Sequence, residues 1–310
     1  MEKFFLSSAK IFLWILTGIG LKLFIQSPKI SEYVRSVFNL ISQSIIYVIV
    51  PYFVMINLWK YGIKKELAIF IVGFFLVIMI ITYFISKFLK KYNFSLQETY
   101  FPLTFMNTLY LGIPITQYFV SYDAVYFTLV YSIIVTIIQF TLGVFVISPN
   151  IRSIKFILTS PIIYAFVIGW ILNSKVISIP QILLSTKDFL SYILSPIMLI
   201  FIGYSTPLKN LTKNVFSHII VNSVRIFLIF ILCIIYLTII RKFIILEGKF
   251  LKTFILISVL PSAIINYIIL ENFGIDTKFV SGEILWGTIT VLFLLPYISE
   301  FTEIILLILK

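Results

Sequence analysis

The chain has 310 residues, a net charge of +12, and 61% hydrophobic against 12% charged residues. With a mean hydropathy of +1.11, this composition excludes a soluble enzyme or nucleic-acid-binding domain and points to an integral membrane protein. One cysteine (Cys233) and one histidine (His218) leave no intrachain disulfide and no multi-histidine metal site.

Spans need about 20 apolar residues, and the sequence predicts ten of them with no soluble domain. Segment one (5–25) follows Lys3 and lacks a clear small-residue cleavage site, so it reads as a retained span. Segment two (34–58) carries Asn39, Gln43 and Ser44 before Pro51, and Asn57 after it. Segment three (67–88) is uniformly apolar and reads as lipid-facing or scaffold. Segment four (100–120) is the unusual one. It holds Asn107, Thr108, Gly112 and Pro114 within eight positions, and Pro114 removes an N–H and crowds the Tyr110 carbonyl. A spanning helix has no water to repair such a break.

Segment five (124–147) has Gln139 as its only strongly polar interior residue. Segments six (156–172), seven (189–206, with Pro196) and eight (215–240, with Arg225) follow. Segment nine (253–270) carries Pro261, Ser262, Ala263 and Asn266, and segment ten (280–308) carries Glu283, Thr288, Thr290 and Pro296. Lys and Arg cluster between the runs, where they anchor helix ends and meet anionic lipid. They are spread nearly evenly over the two sides, so their placement does not orient the chain.

The two halves, 1–150 and 151–310, echo each other. Pro114 and Pro261 are 147 positions apart, as are Pro149 and Pro296, while Pro51 and Pro196 are 145 apart. Five spans per half is an odd number, so the second half enters the membrane from the opposite side. Such inverted repeats are typical of secondary transporters, with the solute site between two interrupted helices.

Three stretches resemble the auxin efflux carrier family in its short prokaryotic form. They are NTLYLGIPI (107–115), LPSAIINYIILENFGID (260–276) and GEILWGTITVLFLLP (282–296). Leu109 and Met106 depart from the family pattern. The resemblance implies an all-α protein of ten transmembrane helices in a five-plus-five inverted repeat. It implies crossing broken helices at segments four and nine, and a scaffold and a transporter domain related to bile-acid and sodium/proton carriers. It also implies organic anions as solutes, auxins or dicarboxylates among them, with Asn107 and Pro114 at the first crossover and Pro261 at the second.

The expected activity is therefore alternating-access transport of a small organic anion across the cell membrane, not catalysis. The expected solute contacts are Asn107, Thr108, Pro114, Pro261, Ser262 and Asn266, with Asn39, Gln43, Asn57 and Arg225 as further cavity lining. Asn107 also reads as a cap of the broken helix, and Arg225 as a snorkelling side chain or a carbonyl partner. Glu283 reads as a surface carboxylate near Lys278, with a proton carrier as the alternative. His218 reads as an interface residue. No cofactor is expected, and the coupling ion, H+ or Na+, is open. Membrane lipid and the solute are the expected partners, with a homodimer as one candidate assembly. Two rival functions are an uncoupled facilitator or receptor of the same fold and, more remotely, a lipid-modifying membrane enzyme.

Overall fold

The computed structural model describes residues 2–25, 28–108, 111–205, 215–244 and 246–308. It is 84% helix, and among the described residues the only extended pairing is one isolated bridge. In chain order the helices are α1 (Glu2–Phe24), α2 (Pro28–Ser44), α3 (Val50–Tyr61), α4 (Lys65–Leu89), α5 (Leu96–Thr104) and α6 (Gly112–Phe119). Then come α7 (Val125–Ile138), α8 (Val144–Ile147), α9 (Ile151–Thr159), α10 (Pro161–Ser174) and α11 (Gln181–Ser205). The last four are α12 (Val215–Ile240), α13 (Gly248–Ser258), α14 (Ile264–Asn272) and α15 (Lys278–Ile308).

Six helical stretches are long and apolar enough to cross a bilayer: Glu32–Tyr61, Lys65–Tyr92, Val125–Ile147, Ser153–Ser174, Val215–Ile240 and Lys278–Leu307. They match predicted segments two, three, five, six, eight and ten. Segment one contains a shorter apolar stretch, Leu13–Phe24, and segment seven lies within α11, whose following residues (206–214) are outside the described ones. Segments four and nine are each two short helices with a gap.

Two helices continue through a wide turn instead of breaking. Pro51 cannot donate to the Tyr47 carbonyl, and the chain passes this point through a π turn at Ile45–Ile49. A second π turn spans Gln139–Gly143 and turns Gln139 inward, where it is buried. The proline pairs that suggested the repeat do not all occupy equivalent places. Pro149 lies between α8 and α9, whereas Pro296 sits inside α15, which runs on to Ile308.

The chain forms two compact units, and each draws on both halves of the sequence. One comprises Met1–Phe5, Lys64–Val135 and Pro207–Lys310, and the other Leu6–Ile63 and Thr136–Thr206. The second unit is held by close backbone approach. A Cβ added to Gly203 would strike the Ile15 carbonyl, and one added to Gly18 would strike the Ile200 carbonyl, so α1 and α11 touch through reciprocal glycines. Likewise Gly169 on α10 lies against Met55 of α3. At the ends of these two helices, Trp59 Nε1 donates to the Ile177 carbonyl (2.7 Å) and Asn173 Nδ2 to the Trp59 carbonyl (2.8 Å).

The first unit has an aromatic core. Phe70 and Phe74 of α4 pack edge-on against Phe254 of α13, with centroids 4.8 and 4.6 Å apart. Predicted segment three is thus part of a packed core beside the broken helices. Its sequence left lipid-facing and scaffold readings open, because a helix packed within an apolar unit and one facing lipid have the same composition.

Gly203→Ala would place a methyl group against fixed backbone and should lower the melting temperature of the purified protein by roughly 3–10 °C. Gly20, also in α1, has nothing within 4 Å of an added Cβ, so Gly20→Ala should hold or slightly raise it. Thermal scans of both variants in detergent check this contrast.

Candidate functional site: a crossing of two interrupted helices

The first unit contains both breaks. The start of α5 is well specified: Ser95 Oγ accepts from the Glu98 N–H (3.1 Å), and the Glu98 carboxylate accepts from the Ser95 N–H (3.2 Å). The helix stops at Thr104, and Phe105 is extended, with φ −108° and ψ 117°. In segment nine, α13 stops at Ser258. Pro261 biases Leu260 away from helical angles and lacks an N–H, so the helix cannot run through it.

The two unwound stretches pair with each other. Met106 and Ser262 form an antiparallel bridge. The Asn107 N–H donates to the Pro261 carbonyl (2.8 Å), and the Ala263 N–H donates to the Phe105 carbonyl (3.0 Å). A local two-fold through the Met106–Ser262 pair exchanges these two bonds. The bridge therefore relates positions 156 apart, not the 147 suggested by the prolines. Pro114 lies three residues into α6, whereas Pro261 sits in the gap itself. The Tyr110 carbonyl, which the sequence reading set against Pro114, lies outside the described residues.

Side chains meet the remaining backbone groups. Asn266, fully buried on α14, donates through Nδ2 toward the Phe105 carbonyl (2.9 Å), the Phe101 carbonyl (3.2 Å) and Ser262 Oγ (3.0 Å). Arg225 reaches in from α12 and is also fully buried. Its Nε donates to the Pro102 carbonyl (2.8 Å) and its Nη1 to the Leu260 carbonyl, while Nη2 has no hydrogen-bond partner among the described residues. The Pro102 carbonyl lies in the last turn of α5 and the Leu260 carbonyl two residues past the end of α13, so the guanidinium sits beside the negative poles of both helices. One guanidinium thus serves both breaks. An aromatic wall backs them: Phe75 stacks on Phe105 (6.3 Å between centroids, 11°), and Tyr131 Oη lies 3.5 Å from Met106 Sδ.

Two turns before Arg225 on the same face of α12, His218 Nδ1 lies 3.0 Å from Glu283 Oε2 of α15. His218 is 3% exposed and Glu283 0%. This corrects one expectation. Glu283 is not a surface carboxylate, because Lys278 pairs with Asp276 instead (3.1 Å) and α15 turns Glu283 inward more than one turn on. His218, four residues into α12, stacks on Phe279 with centroids 4.5 Å apart. Glycines make the space: a Cβ on Gly282 would lie 2.6 Å from His218 Nε2, and one on Gly287 2.5 Å from Asn222 Oδ1. Outside the spans, the Lys278 N–H and then its ammonium hold the Asp276 carboxyl below the usual carboxylate range. That contribution is present above the ordinary carboxylate range and is lost as pH falls through the lowered value.

The structure therefore brings together Asn107, Thr108, Pro261, Ser262, Asn266 and Arg225, all buried within one unit. Pro114 belongs to the same unit. Asn39, Gln43 and Asn57 belong to the other, where Asn39 and Gln43 are exposed on α2 and Asn57 is buried. Asn222 is the polar residue that sequence reasoning missed. Its spacing from His218 and Arg225 (positions 218, 222 and 225) is the i, i+4, i+7 signal of one helix face.

No group of three His, Cys, Asp or Glu able to hold a metal ion occurs among the described residues. A separate cleft of about 630 Å³ in the same unit is lined in part by Val120, Arg241, Lys249, Lys252 and Glu303.

The fold defines an all-helical membrane protein with two interrupted helices meeting in one unit. A scan against family models and a search of curated proteins return no match.

Replacing Arg225 with Met would strip both helix ends at a cost of about 1–3 kcal/mol for each buried carbonyl. Arg225→Lys should rescue only part of this, because an ammonium lacks the planar fork that spans two carbonyls. Melting temperatures ordered wild type, Lys, Met would bear this out; equal values would refute it.

Proposed function

We propose that the chain is a secondary transporter of a small organic anion, a ten-span inverted repeat of the auxin efflux carrier type working by alternating access in the cell membrane. The observation that carries this reading is the crossing of two interrupted helices at Met106–Ser262 with Arg225 on their C-terminal ends.

A cation already occupies the negative poles of α5 and α13. The N-terminal poles of α6 and α14, which follow the crossing, are the partly positive ends and favour an anion. Arg225 Nη2 adds a buried donor with no partner among the described residues. A carboxylate arriving here meets donors and positive potential; a cation would meet the guanidinium. The two-fold character of the crossing, and compact units that each draw on both halves, support the repeat. Asn107 and Thr108 on one stretch, and Ser262 on the other, are the nearest side chains for a solute.

Asn107→Ala should abolish uptake of the transported acid while leaving the protein folded and reconstituted at wild-type yield. The assay is counterflow of radiolabelled carboxylates into proteoliposomes. Normal counterflow by the variant would refute the placement of the site. No counterflow of any acid by folded wild type would refute the anion reading and favour cationic or neutral solutes.

A further inference from the structure

The pair formed by His218 and Glu283 has no part in holding the crossing. Resting on the anion-carrier reading, we propose that this pair, with Asn222 and Arg225, is a proton-binding site, and that the proton it takes up is the co-transported ion.

Charge balance favours a proton at this pair. Arg225 carries a permanent positive charge inside the membrane unit. In the form in which the His218–Glu283 pair holds a single proton it carries one negative charge, which offsets the guanidinium and brings the cluster to zero. Arg225 lies two turns along the same face of α12 as His218, and both are buried in the same unit as Glu283. Bringing an anionic solute to the crossing adds a negative charge to a buried, low-dielectric neighbourhood, which is costly without compensation. One proton on the pair restores neutrality. By linkage, each ligand then favours the other equally.

The contact between His218 Nδ1 and Glu283 Oε2 already contains one proton. Three further buried atoms of the cluster have no hydrogen-bond partner among the described residues: the donor Arg225 Nη2, which the anion reading assigns to the solute, and the acceptors Glu283 Oε1 and Asn222 Oδ1, which leave the pair itself short of a donor. Asn222 Oδ1 lies beside α15 at Gly287, one turn beyond Glu283. A second proton supplies the missing donor, either as an O–H on Glu283 or by charging the imidazole. It comes from water on one side of the membrane and returns to water on the other, so no other reactant is needed.

The remaining titratable groups on the elements around the pair are accounted for. Glu98 caps α5 through Ser95, Lys278 holds Asp276, Glu271 accepts from Tyr267 Oη, and Lys252 pairs with Glu303. Lys87 on α4 is exposed, and Tyr100, Tyr131 and Cys233 are the other buried groups. Among them, His218 and Glu283 form the buried acid–base contact.

The test has two arms on the full-length protein. The single histidine makes 15N-histidine labelling specific, so NMR in nanodiscs reads His218 alone. The expected result is a pH-dependent imidazole signal whose midpoint differs between wild type and Glu283→Gln. The second arm uses proteoliposomes and radiolabelled lactate, malate, succinate and indole-3-acetate. The acid that counterflows should bind tighter at pH 6.5 than at pH 8.5, by up to about tenfold per pH unit, the limit for linkage to one proton. Its net uptake should rise at least about tenfold with an inward proton gradient. Glu283→Gln should bring the ratio of gradient-driven to gradient-free uptake close to one, and His218→Gln serves if that variant does not fold.

A His218 signal unmoved by pH and by Glu283→Gln would overturn the proton site whatever the transport arm shows. Counterflow indifferent to pH and to the proton gradient would overturn the coupling and leave the carrier reading intact. No counterflow of any acid, with the His218 titration intact, would overturn the carrier reading and the coupling that rests on it.

Discussion

Two helices that stop inside a membrane protein leave carbonyl groups with no water to turn to, and Arg225 meets both. Its Nε takes the Pro102 carbonyl and its Nη1 the Leu260 carbonyl, one from each interrupted helix. The guanidinium suits this place because its donors lie in a fixed planar fork and its charge is permanent. Asn266 then covers the Phe101 and Phe105 carbonyls, so four carbonyls around the breaks are met by two side chains. Without these contacts the antiparallel pairing of Met106 with Ser262 would stand alone, and a single bridge does not hold two chains together.

This constraint spreads through the unit. Arg225 is buried only because α12 is drawn against α5, α13 and α15, and the same helix face then carries Asn222 and His218 inward with it. The facing helix must be thin at matching points. Gly282 and Gly287 provide this, since any Cβ there would press on His218 or Asn222, and at Gly287 would also lie 3.3 Å from Pro261. The polar stripe, the glycines and the proline break thus form one structural solution.

The sequence displayed this unevenly. The breaks were legible, because Asn107, Gly112 and Pro114 in one apolar run, and Pro261 with Ser262 in another, have no place in an unbroken span. The register of the crossing was not. Prolines 147 apart suggested an alignment, yet the pairing depends on which extended residues face each other, and that follows from the unequal gaps after Thr104 and Ser258. Arg225 was visible as a charge in an apolar helix, but its partners are backbone carbonyls, which have no identity in a sequence. Glu283 beside Lys278 looked like an ordinary surface pair. Burial separated them, because Lys278 starts α15 beside Asp276 and Glu283 lies more than one turn along it. Segment three read as lipid-facing or scaffold, undecided for a related reason: rows of Phe, Ile and Leu are the same whether lipid or Phe254 lies opposite.

The same physics bears on the sign of what the crossing can accept. Interrupted helices offer two negative and two positive poles, and by themselves choose neither sign of solute. The fixed cation breaks that symmetry. By occupying the C-terminal poles of α5 and α13, Arg225 removes the sites where a cation would be held, while the N-terminal poles of α6 and α14 remain. With a single proton, the His218–Glu283 pair would offset the guanidinium, and the anion of the proposed transport would disturb that balance. A cluster built from one permanent charge and one titratable pair can regain neutrality by a single proton, and a cluster of two permanent charges cannot. On the proposed coupling, a histidine–glutamate contact beside Arg225 therefore serves where a second salt bridge would not.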